Sequence, residues 1–248
     1  MNSKPTSKTF LLLADISGYT HFMRENPVAS SHARQIIVRL LKSLISASAP
    51  PLTVAELEGD AIFFYATASD KDLDRIAAQI KEQMRSLFAG FYAETRKLAG
   101  MKACACDACS NVGGLKLKQI LHVGDAAIER VNQFNKLFGL DVILVHKLLK
   151  NSVPSDEYVL MTRQAHSVFK DFQGLTPRVL REKVDEFGTV HVIVFYPIHP
   201  SSTVRENESL RPTAADMLGW KLRMKWNTLL DLVRGQNIKP VPSSARSE

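Results

Sequence analysis

The chain has 248 residues, is 45% hydrophobic and 23% charged, and carries a formal net charge of +7. That size and composition suit one large or two small soluble domains, and no apolar run approaches the roughly 20 residues of a membrane-spanning helix. The basic residues are spread rather than blocked, so no nucleic-acid partner is expected.

The first ten residues, "MNSKPTSKTF", are polar and lack the hydrophobic core of a secretory leader, so a cytoplasmic location is expected. Residues 10–16 are an almost uninterrupted apolar run closed by Asp15 and Gly18, which reads as a buried strand. Residues 28–48 place Ile36, Ile37, Leu40, Leu41, Leu44 and Ile45 at helical spacing, and Pro50-Pro51 stops the helix. "LTVAELEGDAIFFYAT" reads as a hairpin of two strands around Gly59-Asp60. A second helix over about 70–98 carries Leu73, Ile76, Ile80, Met84, Leu87, Phe88 and Phe91 on one face.

"LKLKQILHVGDAAIE" reads as a strand broken at Gly124, while "GLDVILVHKLLKNSV" could be strand or helix by periodicity alone. A strand at "EYVLMT", a short helix at "RQAHSVFKDF" and a strand at "GTVHVIVFYP" close the folded part. The order βαββαβ, followed by further elements, predicts an α+β fold of ferredoxin-like type, an antiparallel sheet with helices on one face. One domain is expected over 8–198. A linker should follow over 199–212, then an amphipathic helix over 213–235 and a disordered tail over 236–248. The helix is expected to dock on its own domain or across a dimer, with membrane contact through it the less favoured reading.

Two carboxylates stand out. Asp15 ends the first strand and Asp60 lies in the turn between the second and third. In a ferredoxin-like sheet the first and third strands are central neighbours, so the two acids should meet at one end of the sheet. Such a pair repels unless a cation lies between, and an all-oxygen donor set favours Mg²⁺ or Mn²⁺. The backbone N–H groups of Ser17, Gly18 and Tyr19 add a cradle for phosphate oxygens.

These residues resemble a family. "FLLLADISGYTHFM" is similar to the first metal-binding segment of the class III nucleotidyl cyclases, and "ELEGDAIFFY" to the second. "LKLKQILHVGDA" and "LFGLDVILVHKLL" are similar to the strand, aromatic-Gly segment and helix that follow. A closer likeness still is to a bacterial branch of cyclase-like proteins sharing "ADISGYT", a Cys cluster and "GLDVILVHKLLKN", to which no activity attaches. The resemblance implies that Asp15, Asp60 and the Ile16 carbonyl ligate two divalent cations, and that Ser17, Gly18, Tyr19 and Thr20 hold phosphates of a nucleoside triphosphate. It places Glu56 and Lys136 at base-selecting positions and implies a homodimer whose product is a cyclic nucleotide with pyrophosphate. It also puts Ile143 and Lys147 where the family carries a transition-state Asn and Arg. Lys147 keeps a positive charge for catalysis without the Arg fork, and Ile143 keeps nothing of the Asn. A catalytically degenerate domain, sensing nucleotide or metal, is therefore the alternative function. A polymerase-like palm is a third reading.

All three cysteines, Cys104, Cys106 and Cys109, fall within "CACDAC". With His122 as a fourth ligand they could hold Zn²⁺; a redox switch or inert thiols are the other readings.

Overall fold

The computed structural model describes residues 7–25, 30–101, 107–172, 174–197 and, further on, 215, 217–219, 222 and 226. The chain divides into two compact units, one of residues 1–17, 41–92 and 116–205, the other of 18–40, 93–115 and 206–248.

The first unit is built on a seven-stranded sheet. Its strands are β1 (Ser7–Ser17), β2 (Thr53–Glu58), β3 (Ala61–Ser69), β4 (Lys116–Gly124), β7 (Tyr158–Thr162), β8 (Arg178–Val184) and β9 (Gly188–Phe195), in the order β2-β3-β1-β4-β7-β9-β8. All neighbours are antiparallel except β4 and β7. The order β2-β3-β1-β4 is the expected ferredoxin-like core, and it puts β1 between β3 and β4. β1 carries large apolar residues on both faces because both faces are covered. Toward one face, Phe10 meets the ring of Phe169 in α6 (Arg163–Phe169) with centroids 5.9 Å apart. The Gln119 amide of β4 donates to the Met84 carbonyl of α3 (Leu73–Gly100) on the same face. Toward the other face, Leu11, Leu13, Ile120 and Leu160 pack with Leu144, Val145 and Leu148 of α5 (Leu140–Lys147). Helices were expected on one face; α3 and α6 share it, and α5 lies on the opposite one. The ambiguous segment is thus a helix, capped by Gly139 at φ 149 and carrying Asp141 in its first turn, where the helix dipole favours an acid.

A separate ribbon, β5 (Ala127–Val131) paired with β6 (Phe134–Phe138), leaves β4 after Gly124. A side chain on Gly124 would meet Asp141 Oδ2 at 2.1 Å, so glycine is what lets α5 approach the strand end. In α2 (Ser30–Ala47), Ala47 approaches α3 at Gly90, where an added Cβ would lie 2.7 Å from the Ala47 methyl.

The second unit holds α1 (Tyr19–Glu25), the start of α2, the end of α3, the short α4 (Asp107–Asn111) and a 3-10 turn over Val112–Gly114. Arg39 pairs there with Glu94 and reaches the Met101 sulfur at 3.5 Å. The expected C-terminal helix is described at Ala215, Met217, Leu218, Gly219, Leu222 and Trp226, all helical; the expected linker and tail lie outside the described residues. No helix among the described residues is long and apolar enough to cross a membrane.

Candidate functional site

The two aspartates meet as the topology requires. Asp15 pairs in register with Ala61 of β3 on one side and with Lys118 of β4 on the other. The Ile16 N–H donates to the Asp60 carbonyl at 3.2 Å, tying the hairpin turn to the end of β1. Lys118 Nζ lies 2.9 Å from Asp15 Oδ2, and both side chains are more than four-fifths buried. Tyr158, opposite Lys118 on β7, continues the row and receives a hydrogen bond from the Asn151 amide.

The electrostatics of this row are unbalanced. Burial, and then the charge of Asp15, push the Asp60 carboxyl up to about 6, against the weaker pulls of its backbone and Lys118. Burial pulls Lys118 down, but the bond to Asp15 and the charges of Asp15, Tyr158 and Asp60 outweigh it and hold the ammonium above its usual range. Burial likewise raises the Tyr158 phenol. Two acids thus share one lysine in a half-buried setting, and Lys118 stands where a metal cation could. Ser17, on the same side of β1 as Asp15, is buried with no partner for its hydroxyl among the described residues. The donors (two carboxylates, the Ile16 carbonyl and a hydroxyl) are all oxygen and fit Mg²⁺ or Mn²⁺. Among the described residues no group of three or more His, Cys, Asp or Glu is placed to hold a metal, so any cation here leans on backbone and ligand oxygens. Gly18, with φ 87, and Tyr19 and Thr20, which open α1, belong to the second unit.

The two base-position residues form an ion pair. Lys136 of β6 bonds Glu56 of β2, and both line a cavity of about 220 Å³ with Glu58, Phe63, Asn135 and His146. In the same cavity His146 Nδ1 lies 2.7 Å from the Val142 carbonyl, and Nε2 2.7 Å from Glu58 Oε1. A carbonyl only accepts, so Nδ1 is the donor in the bond to Val142. The Phe63 ring packs edge-on to His146 with centroids 4.7 Å apart. The sequence reading assigns none of His146, Glu58 and Lys118 to the site. The signal for Lys118 was present in the "LKLK" alternation, which sets Lys118 and Ile120 on one face of β4.

Lys147 joins a different group. Its Nζ lies 3.2 Å from Glu186, and it lines a second cavity of about 590 Å³ on α5 with the 46%-exposed Ile143. His122 is buried in the core. Its Nδ1 lies 2.8 Å from the Thr162 hydroxyl and its Nε2 3.0 Å from Asp141, while burial, outweighing Asp141, lowers its pKa. The Thr162 oxygen also caps α6, accepting from the Ala165 N–H, while His122 Nε2 has no well-aligned hydrogen bond among the described residues. Cys109 lies in α4, in the other unit from His122; Cys104 and Cys106 lie outside the described residues.

Residues 37–158 match the model of a family described as a protein of unknown function, DUF2652. The chain is 36% identical over 126 residues to the uncharacterized protein Rv2561/Rv2562 of Mycobacterium tuberculosis; the match covers 51% of this chain and 57% of that protein, so the chain spans little more than half of its relative's length. Among solved structures, the adenylyl cyclase CyaB from P. aeruginosa superposes with a TM-score of 0.62 at 13% identity, over 78% of this chain and 95% of that one. A class III adenylyl cyclase-like ATP-binding protein from Pseudomonas aeruginosa gives 0.53 at 15%, over 65% and 35%. An adenylate cyclase from Trypanosoma brucei gives 0.51 at 17%, over 78% and 91%. The fold is that of the class III cyclases, and at these identities the likeness speaks to fold.

Proposed function

We propose that the chain binds a nucleoside triphosphate together with Mg²⁺ or Mn²⁺ at the Asp15–Asp60 end of its cyclase-type sheet. The observation that carries this reading is the unbalanced row of Asp15, Asp60 and Lys118, in which repulsion and burial hold Asp60 up at about 6. A divalent cation there would take the Asp15 and Asp60 carboxylates and the Ile16 carbonyl. It would supply charge neutralisation for a triphosphate and activation of a ribose hydroxyl. Ser17 and, by the family resemblance, Gly18, Tyr19 and Thr20 would hold phosphate oxygens, in a homodimer. The scaffold is shared with solved proteins described as adenylyl cyclases and with one described as a cyclase-like ATP-binding protein, so both turnover and binding alone have precedent on it.

A second reading, a regulatory nucleotide- or metal-sensing module without cyclase turnover, is favoured by α5. Ile143 offers no hydrogen-bonding group, and Lys147 is tied to Glu186. Loss of one positioned transition-state donor costs about 10²–10³ in rate. Calorimetric titration of the purified chain with ATP, GTP, CTP and UTP in Mn²⁺, beside Asp60→Ala, tests the site, with chromatography for cyclic nucleotide and pyrophosphate. Metal-dependent binding of at least one nucleotide is expected, weakened by about 100-fold or more in Asp60→Ala. Equal binding by the variant would overturn the site, and binding without product would select the regulatory reading.

A further inference from the structure

Among the described residues the sheet has two edge strands, β2 and β8, and they are built differently. β2 is broken by a register shift between Val54 and Glu56, whereas β8 pairs with β9 without a shift from Arg178 to Val184 and carries no proline. A bulge or a proline is a usual guard against a strand adding to an edge, and β8 has neither. It lies far from the aspartate row, with β4, β7 and β9 between it and β1.

The two faces of β8 differ in character. On one, Leu180 and Val184 pack into the core beside α5, and Glu182 accepts from the Ser152 N–H and hydroxyl. The other face continues that of β9: Val179 pairs with Ile193, Arg181 with His191 and Lys183 with Thr189. There α6 covers β9, with the His166 ring stacked 6.0 Å from that of Phe195, but β8 is bare. Val179 is 66% exposed, and Arg181 and Lys183 are exposed beside it. Neither cation has an ion-pair partner among the described residues, and Glu186 of the adjoining turn is held by Lys147. An apolar side chain and two cations thus alternate along an edge with no strand beside it among the described residues.

Spacing and sign define what fits this edge. Side chains on one face of a strand recur at every second residue, so an antiparallel strand would meet Lys183, Arg181 and Val179 in turn with alternate residues of its own. The two cations repel a second β8, which disfavours pairing of like with like. They attract carboxylates at the same spacing, while main-chain bonds to the edge supply affinity whatever the sequence. We propose that β8 is a docking edge for an extended acidic segment of another protein, of the pattern acid-x-acid-x-apolar. The segment joins the sheet as an added strand, with its acids on Lys183 and Arg181 and its apolar residue on Val179. So small a contact makes the partnership transient.

Titration of the full chain with a labelled, end-blocked peptide tests this, read by fluorescence anisotropy and hydrogen exchange. The peptide has seven residues, with glutamate second and fourth, valine sixth and threonine elsewhere. One peptide should bind per chain and slow exchange of the outward amides of residues 178–184. Arg181→Glu with Lys183→Glu, both exposed, should weaken binding by about tenfold or more, and should create binding to the same peptide with lysine for glutamate. Two further peptides, N-methylated along opposite edges, separate strand addition from simple charge attraction. One should bind as before and the other should lose binding, because only one edge faces β8. Undiminished binding by the double variant, matching behaviour of the two N-methylated peptides, or exchange slowed away from β8 would each overturn the proposal. So would outward β8 amides already slow to exchange in the chain alone, which would show the edge covered by the chain itself or by a second copy. No nucleotide or metal enters the experiment, so its outcome is separate from that of the nucleotide site.

Discussion

Two charged clusters lie at the β2–β3 end of the sheet, and they are balanced in opposite ways. Around Asp15, two carboxylates share one lysine, the Asp15 and Lys118 side chains are mostly buried, and Asp60 is driven up to about 6. Around Glu56, acids and bases match one to one: Glu56 with Lys136, whose side chains are 43% and 49% exposed, and Glu58 with His146. A cluster that completes its own hydrogen bonds and charges asks for nothing further. A half-buried cluster with an acid in excess lowers its free energy by taking up a cation, either a proton or a metal. The contrast therefore singles out the aspartate row as the place where uptake of a cation would stabilise the fold, even though both clusters are rich in charge.

The largest effect should come from Lys118→Met. Breaking a mostly buried pair by removing one partner leaves Asp15 without its counter-charge, and the metal-free protein should lose about 2 kcal/mol or more. The same change removes the competing cation, so Mn²⁺ should stabilise the variant more than the wild type, by the mass-action relation between ligand affinity and unfolding free energy. Thermal unfolding in EDTA and in Mn²⁺ reads both. A variant as stable as the wild type in EDTA, or one that Mn²⁺ does not stabilise further, would contradict the unbalanced-row account.

Asp60→Asn should act in the opposite direction and with a smaller size. A raised native pKa means that the proton-bound form is favoured by folding. Stability is thus highest below the ordinary aspartate range, near 3.8, and falls as pH rises through about 6. The amide removes that penalty. After allowance for the part of Asp60 that water reaches, the metal-free variant should gain about 1 kcal/mol at pH 8 and almost nothing at pH 4. Urea unfolding across that range gives the difference directly. The sign also fixes the metal behaviour: Mn²⁺ must compete with a proton on Asp60, so its affinity should fall as pH drops below about 6 and level off above it.

What could be read from the chain alone follows the physics of each signal. The central strands, the hairpin and the long helices announce themselves because burial on one or both faces imposes a pattern. Asp15 and Asp60 announce themselves because each interrupts such a pattern at a strand end. β8 did not, because its inward position between Leu180 and Val184 is Glu182. That side chain is buried not against apolar groups but against Ser152, accepting from its N–H at 3.0 Å and its hydroxyl at 2.8 Å. β6, five residues of a ribbon outside the main sheet, has too little pattern to see. The pairings across the site were invisible for another reason. Glu56 and Lys136 could be picked out singly, but their contact depends on where the β5–β6 ribbon folds back. Glu58 and His146, 88 residues apart, meet only because "GLDVILVHK" is a helix, a choice its near-uniform apolarity leaves open.

The smallest effect is expected at the balanced cluster. Glu56→Gln or Lys136→Gln should change the unfolding free energy by about 0.5 kcal/mol or less, because an exposed pair gains little over its hydration and loses side-chain entropy to hold its geometry. Raising the salt to 1 M should shrink even that difference, since the Debye length falls to about 3 Å. The aspartate row, sheltered from mobile ions, should respond less to the same salt. A Glu56–Lys136 pair that proved to contribute as much as Asp15–Lys118 in a double-mutant cycle would mean that exposure is not what separates the clusters. The excess carboxylate at Asp60 would then have to account for the contrast by itself, through its pH dependence and nothing else.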